Sequence, residues 1–152
     1  MSLKKIEDFM SLALVEAKKA YQSDEVPVGS VIVKNGSIIG AGFNQVVSQG
    51  SVISHAEINA IIAASKTLNN YRLNDCDIYV TLEPCHMCAK AIVDARLKNL
   101  FFGALEPKTG AIVSIDNFFL SKHLNHTVSY SSGYCAAESA LLLKSFFKSK
   151  RV

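Results

Sequence analysis

The stretch DIYVTLEPCHMCAKAIVDARLKNLFFGA, residues 77–104, restricts the fold more than any other part of the chain. It starts with a short run rich in apolar and β-branched residues, passes through Pro84 into a helical pattern that ends near Ala95, and finishes in a second apolar run. Pro84 suits the first turn of that helix, because this position needs no backbone N–H donor. Two strands separated by a helix predict parallel neighbours in one sheet, with helices covering its faces.

The N-terminal third predicts a helix followed by a strand pair. Apolar residues recur at steps of three and four from Ser2 to Gln22, which is the pattern of a helix lying on a core. Two β-branched runs then flank Asn35 and Gly36, a residue pair that favours a tight type I′ turn because both positions need positive φ. We therefore expect an antiparallel hairpin.

A further helix is predicted to begin at Ser54, whose hydroxyl can cap it, and to continue through about Leu68. Its apolar positions Ile58, Ile61 and Ile62 are expected to face inward.

The C-terminal part adds a weaker strand at NHTVSYS and a closing helix over residues 136–148. The whole order, αββαβαβ(β)α, predicts the α/β class. We expect one domain over residues 1–152, built as a three-layer α/β/α sandwich around a mixed central sheet of about five strands.

Composition supports a compact protein and leaves the partner open. A chain of 152 residues is expected to bury roughly 68 to 70% of its unfolded surface, and 49% apolar with 19% charged residues is too apolar for a disordered chain. Charges interrupt the first twenty residues, and no run approaches the ~20 apolar residues of a membrane span, so a cytoplasmic protein is expected. The net charge of +3 permits a polyanionic partner, and basic residues cluster in the final KSFFKSKRV.

Two short motifs carry candidate metal chemistry, SHAEINA at residues 54–60 and TLEPCHMCAKA at residues 81–91. Cys85 and Cys88 stand at a predicted helix start, where backbone donors favour thiolates, the form of cysteine that binds metal. His55 stands at another predicted helix start. Two thiolates and one imidazole can hold zinc and leave one coordination position open, as catalytic zinc sites do.

Glu57 is the candidate proton carrier. Two thiolates offset the charge of zinc and weaken its activation of water, so a nearby carboxylate that takes a proton from the water becomes valuable. Periodicity alone does not explain how it reaches the site, because residues two apart on a regular helix point to different sides.

Each part of this pattern also has a structural interpretation. A lone CxxC is common, and a histidine or glutamate at a helix start often serves only capping or solvation. The joint occurrence of HAE and PCxxC, each at a predicted helix start, favours catalysis. Cys76 and Cys135 are expected to be buried thiols, and His86 is expected to point away from the two cysteines beside it.

The motifs EVPVGSVIV, GAGFN, HAEINAI, YVTLEPCHMCAKAIV and KTGA together resemble the zinc-dependent cytidine and adenosine deaminase superfamily. The resemblance covers nearly the whole chain and is greatest to the bacterial tRNA-specific adenosine deaminases. It implies the cytidine deaminase-like fold, with one Zn²⁺ per subunit on His55, Cys85 and Cys88. It also implies that Glu57 is the proton shuttle while zinc-activated water attacks C6 of adenine and ammonia leaves inosine.

The same resemblance implies the substrate, its contacts and the assembly. The expected substrate is the adenosine at the wobble position of the tRNA anticodon stem-loop, bound by a cytoplasmic homodimer with no membrane or DNA partner. The implied substrate-binding residues are Asn44, Val28, Ala56, Glu106, Lys108 and Phe147. Glu106 stands where the family commonly has aspartate, and Leu105 where it often has a polar or basic residue. Glu106 is one methylene longer than aspartate and can still accept a hydrogen bond from a ribose hydroxyl.

Two alternatives stay open on the sequence. HAE and PCxxC are shared with deaminases of free guanine, cytosine or cytidine, so they indicate the reaction type more specifically than the substrate. A zinc-stabilised RNA-binding module without catalysis would need a fourth protein ligand, and Cys76 and Cys135 are the only spare cysteines.

Overall fold

The computed structural model describes residues 1–150. Its elements in chain order are α1 (Leu3–Gln22), β1 (Gly29–Lys34), β2 (Ser37–Phe43), α2 (Val46–Gln49), α3 (Ala56–Leu68), β3 (Cys76–Leu82), α4 (His86–Asp94), β4 (Asn99–Ala104), a 3₁₀ turn (Phe118–Leu120), β5 (Ser129–Ser132) and α5 (Ala136–Lys150). Arg151, which belongs to the basic tail in the sequence, lies outside the described residues.

The five strands form one mixed sheet in the order β2-β1-β3-β4-β5. β1 is antiparallel to β2 and to β3, whereas β3, β4 and β5 run parallel. The predicted hairpin is confirmed, with Asn35 and Gly36 both at positive φ in its turn. The predicted parallel pair around the cysteine-bearing helix is confirmed as β3 and β4.

Helices cover both faces of the sheet, so the predicted three-layer arrangement is confirmed. On one face, α1 buries Ile6, Met10 and Ala13 against Val31 and Tyr79. α5 lies on the same side, and the hydroxyl of its Ser139 donates to the carbonyl of Thr81 in β3 at 2.6 Å. α3 and α4 cover the other face. Among the described residues, no helix combines the length and apolar character that crossing a membrane requires.

The inward face of α3 differs from the prediction. Ile62 is 47% exposed, whereas Ile58 and Ile61 are partly buried as predicted. The fully buried positions are the small residues Ala56, Ala60 and Ala64. The reason lies in β2, where Gly40 and Gly42 bring the strand so close to α3 that an added Cβ would approach the helix backbone to within 2.6 and 2.5 Å. Only small side chains fit at such an interface, whereas the larger isoleucines lie beside it.

Both site-bearing helices begin one or two residues later than predicted. His55, not Ser54, is the N-cap of α3, and Cys85 is the N-cap of α4. Pro84 therefore precedes the helix instead of starting it.

The strand registers bring several loops together at the end of the sheet where β2, β3 and β4 finish and β1 begins. Gly29 pairs with Phe43, and Leu82 pairs with Ala104. The residues just outside these strand ends are consequently neighbours, which places Val28, Asn44 and Glu83 around one opening.

Candidate active site

Three potential metal ligands meet where α3 and α4 begin. The side-chain donor atoms of His55, Cys85 and Cys88 all lie within 4.8 Å of one another. Nδ1 of His55 lies 3.7 Å from Sγ of Cys85 and 3.4 Å from Sγ of Cys88. Tetrahedral zinc with ordinary Zn–S and Zn–N bonds separates a sulfur and a nitrogen ligand by about 3.6 Å. The donor set and its spacing therefore fit zinc, with a fourth position left over.

The helix N-termini also explain how His55 and Glu57 can serve one site. His55 is extended, with φ −77° and ψ 156°, so it stands outside the regular helix. Glu57 lies in the first turn that follows. The helical rule that residues two apart diverge does not apply across a cap, and both side chains line the same cavity.

Hydrogen bonds and burial shift the pKa values of the three candidate ligands in different directions. Hydrogen bonds that Cys88 and His55 donate to its sulfur lower the pKa of Cys85 to about 3. The hydrogen bond to Cys85 and burial raise the pKa of the Cys88 thiol. The hydrogen bond to Cys85 also raises the pKa of His55. A metal cation would take the place of these protons.

Two buried glutamates beside the ligands have opposite properties. Burial raises the pKa of Glu57 to about 7, a value that suits a group that both takes and gives protons. Burial also acts to raise the pKa of Glu83, but hydrogen bonds from Ser114 and from backbone amides outweigh it and leave that pKa below its ordinary value. Glu57 is therefore suited to proton transfer, whereas Glu83 is held ionised.

His55, Cys85 and Glu57 line a cavity of about 520 Å³, whereas Cys88 is fully buried. This volume falls within the range of small-molecule pockets. Its walls are mainly apolar and include Val26, Val28, Val46, Leu82 and Phe146. Such walls suit the faces of a flat aromatic ring, and the few polar groups at their edges can then orient it.

Asn44 provides one of these polar groups. Its Nδ2 donates to the carbonyl of Val26 at 3.3 Å, while its Oδ1 is the single buried side-chain oxygen or nitrogen of residues 1–150 that has no hydrogen-bond partner. An unpaired buried acceptor at a cavity wall is expected to have a ligand donor as its partner.

The residues predicted to bind substrate fall into two groups. Val28, Asn44 and Ala56 line the cavity. Glu106 and Lys108 lie on the neighbouring loop outside it, although Thr109 of that loop reaches the cavity. Their roles toward substrate stay predictions.

Phe147 also lies outside the cavity, with 45% of its surface exposed, and it is Phe146 that lines the wall. Phe146 packs edge-on against Tyr21 and under the ammonium of Lys150, which in turn pairs with Asp24. The sequence pattern did not distinguish these two adjacent phenylalanines, because the weak amphipathicity of α5 does not define which one faces inward.

The sequence-based prediction missed three polar residues that shape the site, of which Glu25 and Glu83 are buried and Asn59 is partly buried. Glu25 accepts from the backbone N–H groups of Val47 at 3.0 Å and Ser48 at 2.6 Å, and so holds α2 at the cavity wall. Asn59 donates to the carbonyl of Phe43 at 2.9 Å and ties the start of α3 to the end of β2. Glu83 holds the loop after β4. The sequence marks these residues only by their position within the motifs EVPVGSVIV, HAEINAI and TLEPCHMCAKA.

The cysteines outside the motif do not join the candidate metal site. Among the described residues, the cluster of potential ligands contains His55, Cys85 and Cys88 but neither Cys76 nor Cys135. Cys76 is buried at the start of β3, which is the end of the strand far from the cavity. The non-catalytic alternative, which requires a fourth protein ligand, is therefore disfavoured.

Comparison with known proteins agrees with this geometry. Residues 3–104 match the family model described as the cytidine and deoxycytidylate deaminase zinc-binding region. A tRNA-specific adenosine deaminase of Agrobacterium fabrum is 45% identical over 144 residues, which cover 95% of each chain. The enzyme of the same name from Rickettsia bellii is 46% identical over 144 residues, covering 93% of this chain and 99% of its own.

Solved structures show the same similarity. One structure, from work on A-to-I editing by tRNA deaminases at the wobble position of transfer RNA, superposes with a TM-score of 0.86 at 44% identity, covering 89% of this chain and 98% of its own. A guanine deaminase from Nitrosomonas europaea superposes with a TM-score of 0.77 at 23% identity, over 92% of this chain and 83% of its own. At this low identity, the similarity to the guanine deaminase shows a shared fold and no more.

Proposed function

The chain belongs to the tRNA-specific adenosine deaminases, within the family that carries the cytidine and deoxycytidylate deaminase zinc-binding region, and we propose that its cavity receives the wobble adenosine of tRNA. The activity is the hydrolytic deamination of adenosine to inosine. The observation that supports it most directly is the cluster of three candidate zinc ligands, two of which line one cavity together with Glu57.

His55, Cys85 and Cys88 are proposed to hold the zinc. When bound, zinc supplies Lewis-acid activation of water at neutral pH. The chain contributes the charge balance of this site through two thiolates, and both helix N-termini place partial positive charge beside them.

Glu57 is proposed to move the protons. The reaction consumes one water and releases one ammonia, so protons from the water must reach a ring nitrogen and the departing amine. A single buried carboxylate can accept a proton and then donate it without exchange with solvent. Glu57 is buried and faces the same cavity as the ligands.

The base is proposed to lie between apolar walls with its edge toward Asn44. Val28 and Ala56 line this space, and the unpaired Oδ1 of Asn44 is free to accept a hydrogen bond. Enclosure of the base requires that it leave its stack, and this costs least for a base in a single-stranded loop. The anticodon loop offers such a base.

The rim of the cavity is proposed to hold the flanking RNA. Lys108 and Glu106 are exposed or partly exposed on the loop after β4, and Phe147 is exposed on α5. Cations for phosphates and an aromatic face for a neighbouring base are the groups that hold splayed single strands.

The proposal extends to the whole chain and its assembly. We propose that residues 1–152 act as one zinc-dependent deaminase domain and that the working enzyme is a cytoplasmic homodimer. Both core clusters of the described residues include side chains of β1 and β3, which supports a single folding unit. The dimer is proposed from the resemblance to the family.

The test is incubation of the purified zinc-loaded protein with a tRNA that carries adenosine at the wobble position. Nucleoside mass spectrometry is expected to detect about one inosine per tRNA, and a transcript with guanosine at that position is expected to yield none. Deamination of free adenosine, guanine or cytidine with the tRNA left untouched would instead identify a small-molecule deaminase.

A further inference from the structure

Glu83 is a buried carboxylate that takes no part in the proposed reaction. It is 3% exposed and directly follows Leu82, the last residue of β3. Pro84 and the candidate ligand Cys85 come next in the chain. The carboxylate oxygens of Glu83 face the loop of residues 105–114, which follows β4.

The carboxylate accepts hydrogen bonds from four backbone N–H groups of this loop. Oε1 accepts from Glu106 at 3.1 Å, and Oε2 accepts from Ile112 at 3.1 Å, Val113 at 2.8 Å and Ser114 at 3.0 Å. The hydroxyl of Ser114 also donates to Oε1. A carboxylate has about four lone-pair positions, so this one has none left for substrate or for a proton.

Gly110 shows that the loop is fitted closely around the carboxylate. A Cβ at this position would lie 2.3 Å from both Cδ and Oε1 of Glu83. The backbone closes the loop on either side, because the N–H of Gly110 donates to the carbonyl of Glu106 and that of Ala111 donates to the carbonyl of Pro84, both at 2.9 Å. Only glycine at residue 110 permits this arrangement.

The loop held in this way carries the groups that face the RNA in the proposed function. Thr109 lines the cavity, and Glu106 and Lys108 lie beside it. Without the carboxylate, the clustered N–H groups would have no common acceptor, and the loop would exchange among conformations until RNA ordered it. Ordering a loop upon binding weakens affinity.

We propose that Glu83 is a positioning residue, which fixes the loop of residues 105–114 in its RNA-binding conformation before tRNA arrives. The inference rests on the proposed function, since it deepens the account of how tRNA is recognised. It assigns Glu83 to recognition and Glu57 to chemistry, although both are buried glutamates beside the zinc ligands.

The test uses two variants that disturb the same contact from opposite sides. Glu83→Gln keeps the shape but replaces one acceptor oxygen by an NH₂ group that faces other donors. Gly110→Ala leaves the carboxylate unchanged but inserts a methyl group against it. In both zinc-loaded variants we expect faster hydrogen exchange at the amides of residues 112–114. We also expect a KM for tRNA raised about tenfold, with kcat changed less than about twofold.

Asp77→Asn is the matched control. Asp77 lies at the other end of β3, where its Oδ1 accepts a hydrogen bond from Asn99 at 2.8 Å. This variant also removes one partly buried carboxylate from the same strand. It is expected to leave the KM for tRNA and the exchange of residues 112–114 unchanged. If Glu83→Gln folds poorly, Gly110→Ala and the milder Ser114→Ala still test the contact.

Two results would overturn the inference. One is unchanged exchange at residues 112–114 together with an unchanged KM. The other is loss of zinc or of kcat in Glu83→Gln at unchanged KM, which would mean that Glu83 acts through Cys85. Wild-type protein that forms no inosine in tRNA would instead refute the proposed function, while hydrogen exchange would still decide whether Glu83 orders the loop.

Discussion

The two buried glutamates of the site show how environment decides the role of a residue. Glu57 loses solvent without gaining enough donors, so its carboxyl group can carry a proton near neutral pH. Glu83 loses solvent but gains five donor contacts, so it stays ionised and holds structure.

Replacement of Glu57 by glutamine is therefore expected to lower kcat strongly while the protein stays folded and metal-bound. Glutamine has a similar shape but cannot take up or release the proton. General acid–base catalysis contributes about 10² to 10⁴ in rate, and kcat should fall by at least about 100-fold. Inosine formation under single-turnover conditions measures this fall.

Zinc content provides the control for this variant. Glu57→Gln is expected to retain one zinc per chain in elemental analysis, whereas Cys88→Ala is expected to lose it. A Glu57→Gln protein without zinc would contradict the role of proton carrier, because it would identify Glu57 as a residue that the metal requires.

At the residue scale, the sequence predicted the reactive side chains of the site but not the residues that hold the surrounding backbone in place. The proximity of His55, Cys85, Cys88 and Glu57 could be predicted because HAE and PCxxC place reactive side chains at fixed spacings near helix starts. Glu25 and Glu83 could not be assigned a role, since their function depends on backbone N–H groups 22 to 31 residues away in the chain. No local pattern records such contacts.

At the scale of elements, the site depends on how closely α3 approaches β2. His55 is fixed by the start of α3, and that start lies against Gly42, where an added Cβ would lie 2.5 Å from the nitrogen of Ala60 and 2.7 Å from the oxygen of Ala56. The helix cannot shift away without moving the ligand. The glycines of β2 therefore contribute to the metal site from a distance.

Gly42→Ala is expected to push α3 outward, weaken zinc binding and lower the stability of the fold. Overpacking of this kind costs typically about 1 to 3 kcal/mol. Denaturant unfolding measures the loss of stability, and competition with a chromogenic chelator measures zinc affinity.

The neighbouring Ala41 provides the matched control. It lies on the exposed face of β2, so Ala41→Val adds more volume to the same strand without touching α3. Its free energy of unfolding is expected to change by less than about 0.5 kcal/mol. If both variants lower the free energy of unfolding equally, the loss of stability comes from added volume anywhere on β2. It would then not come from the contact between Gly42 and α3.

The elements themselves were largely predictable, and their inner faces were less so. The hairpin, the parallel strands and the main helices follow from periodicity and turn residues. The short helix α2 was missed because its four residues have no apolar period and are held in place by Glu25. The inward face of α3 was predicted from its isoleucines, but contact with glycines on β2 favours alanine there.

At the scale of the whole molecule, the core and the metal site make separate contributions to stability. The sheet buries Ile32, Ile78, Leu100 and Phe102 completely, and none of these four residues lines the cavity. A chain of 152 residues can form such a core without a metal or disulfide. The zinc site then joins two helix starts that the core has already brought together.

Removal of zinc by a chelator is consequently expected to abolish inosine formation without unfolding the protein. The apoprotein should keep its far-UV circular dichroism and a cooperative thermal transition. A ligand present at 100 times its dissociation constant stabilises the fold by about 2.7 kcal/mol. For a chain of this size, the loss should lower Tm by roughly 5 to 11 °C.

Return of stoichiometric zinc should restore both Tm and activity, since the ligands stand on helices that stay folded. Cys88→Ala separates this effect from general stabilisation by divalent ions, because its Tm should no longer respond to zinc. An apoprotein with no cooperative transition would show instead that the metal is required for folding. In that case the close approach of α3 and α4 would be a consequence of zinc binding, and the packing of Gly42 against α3 would not be its cause.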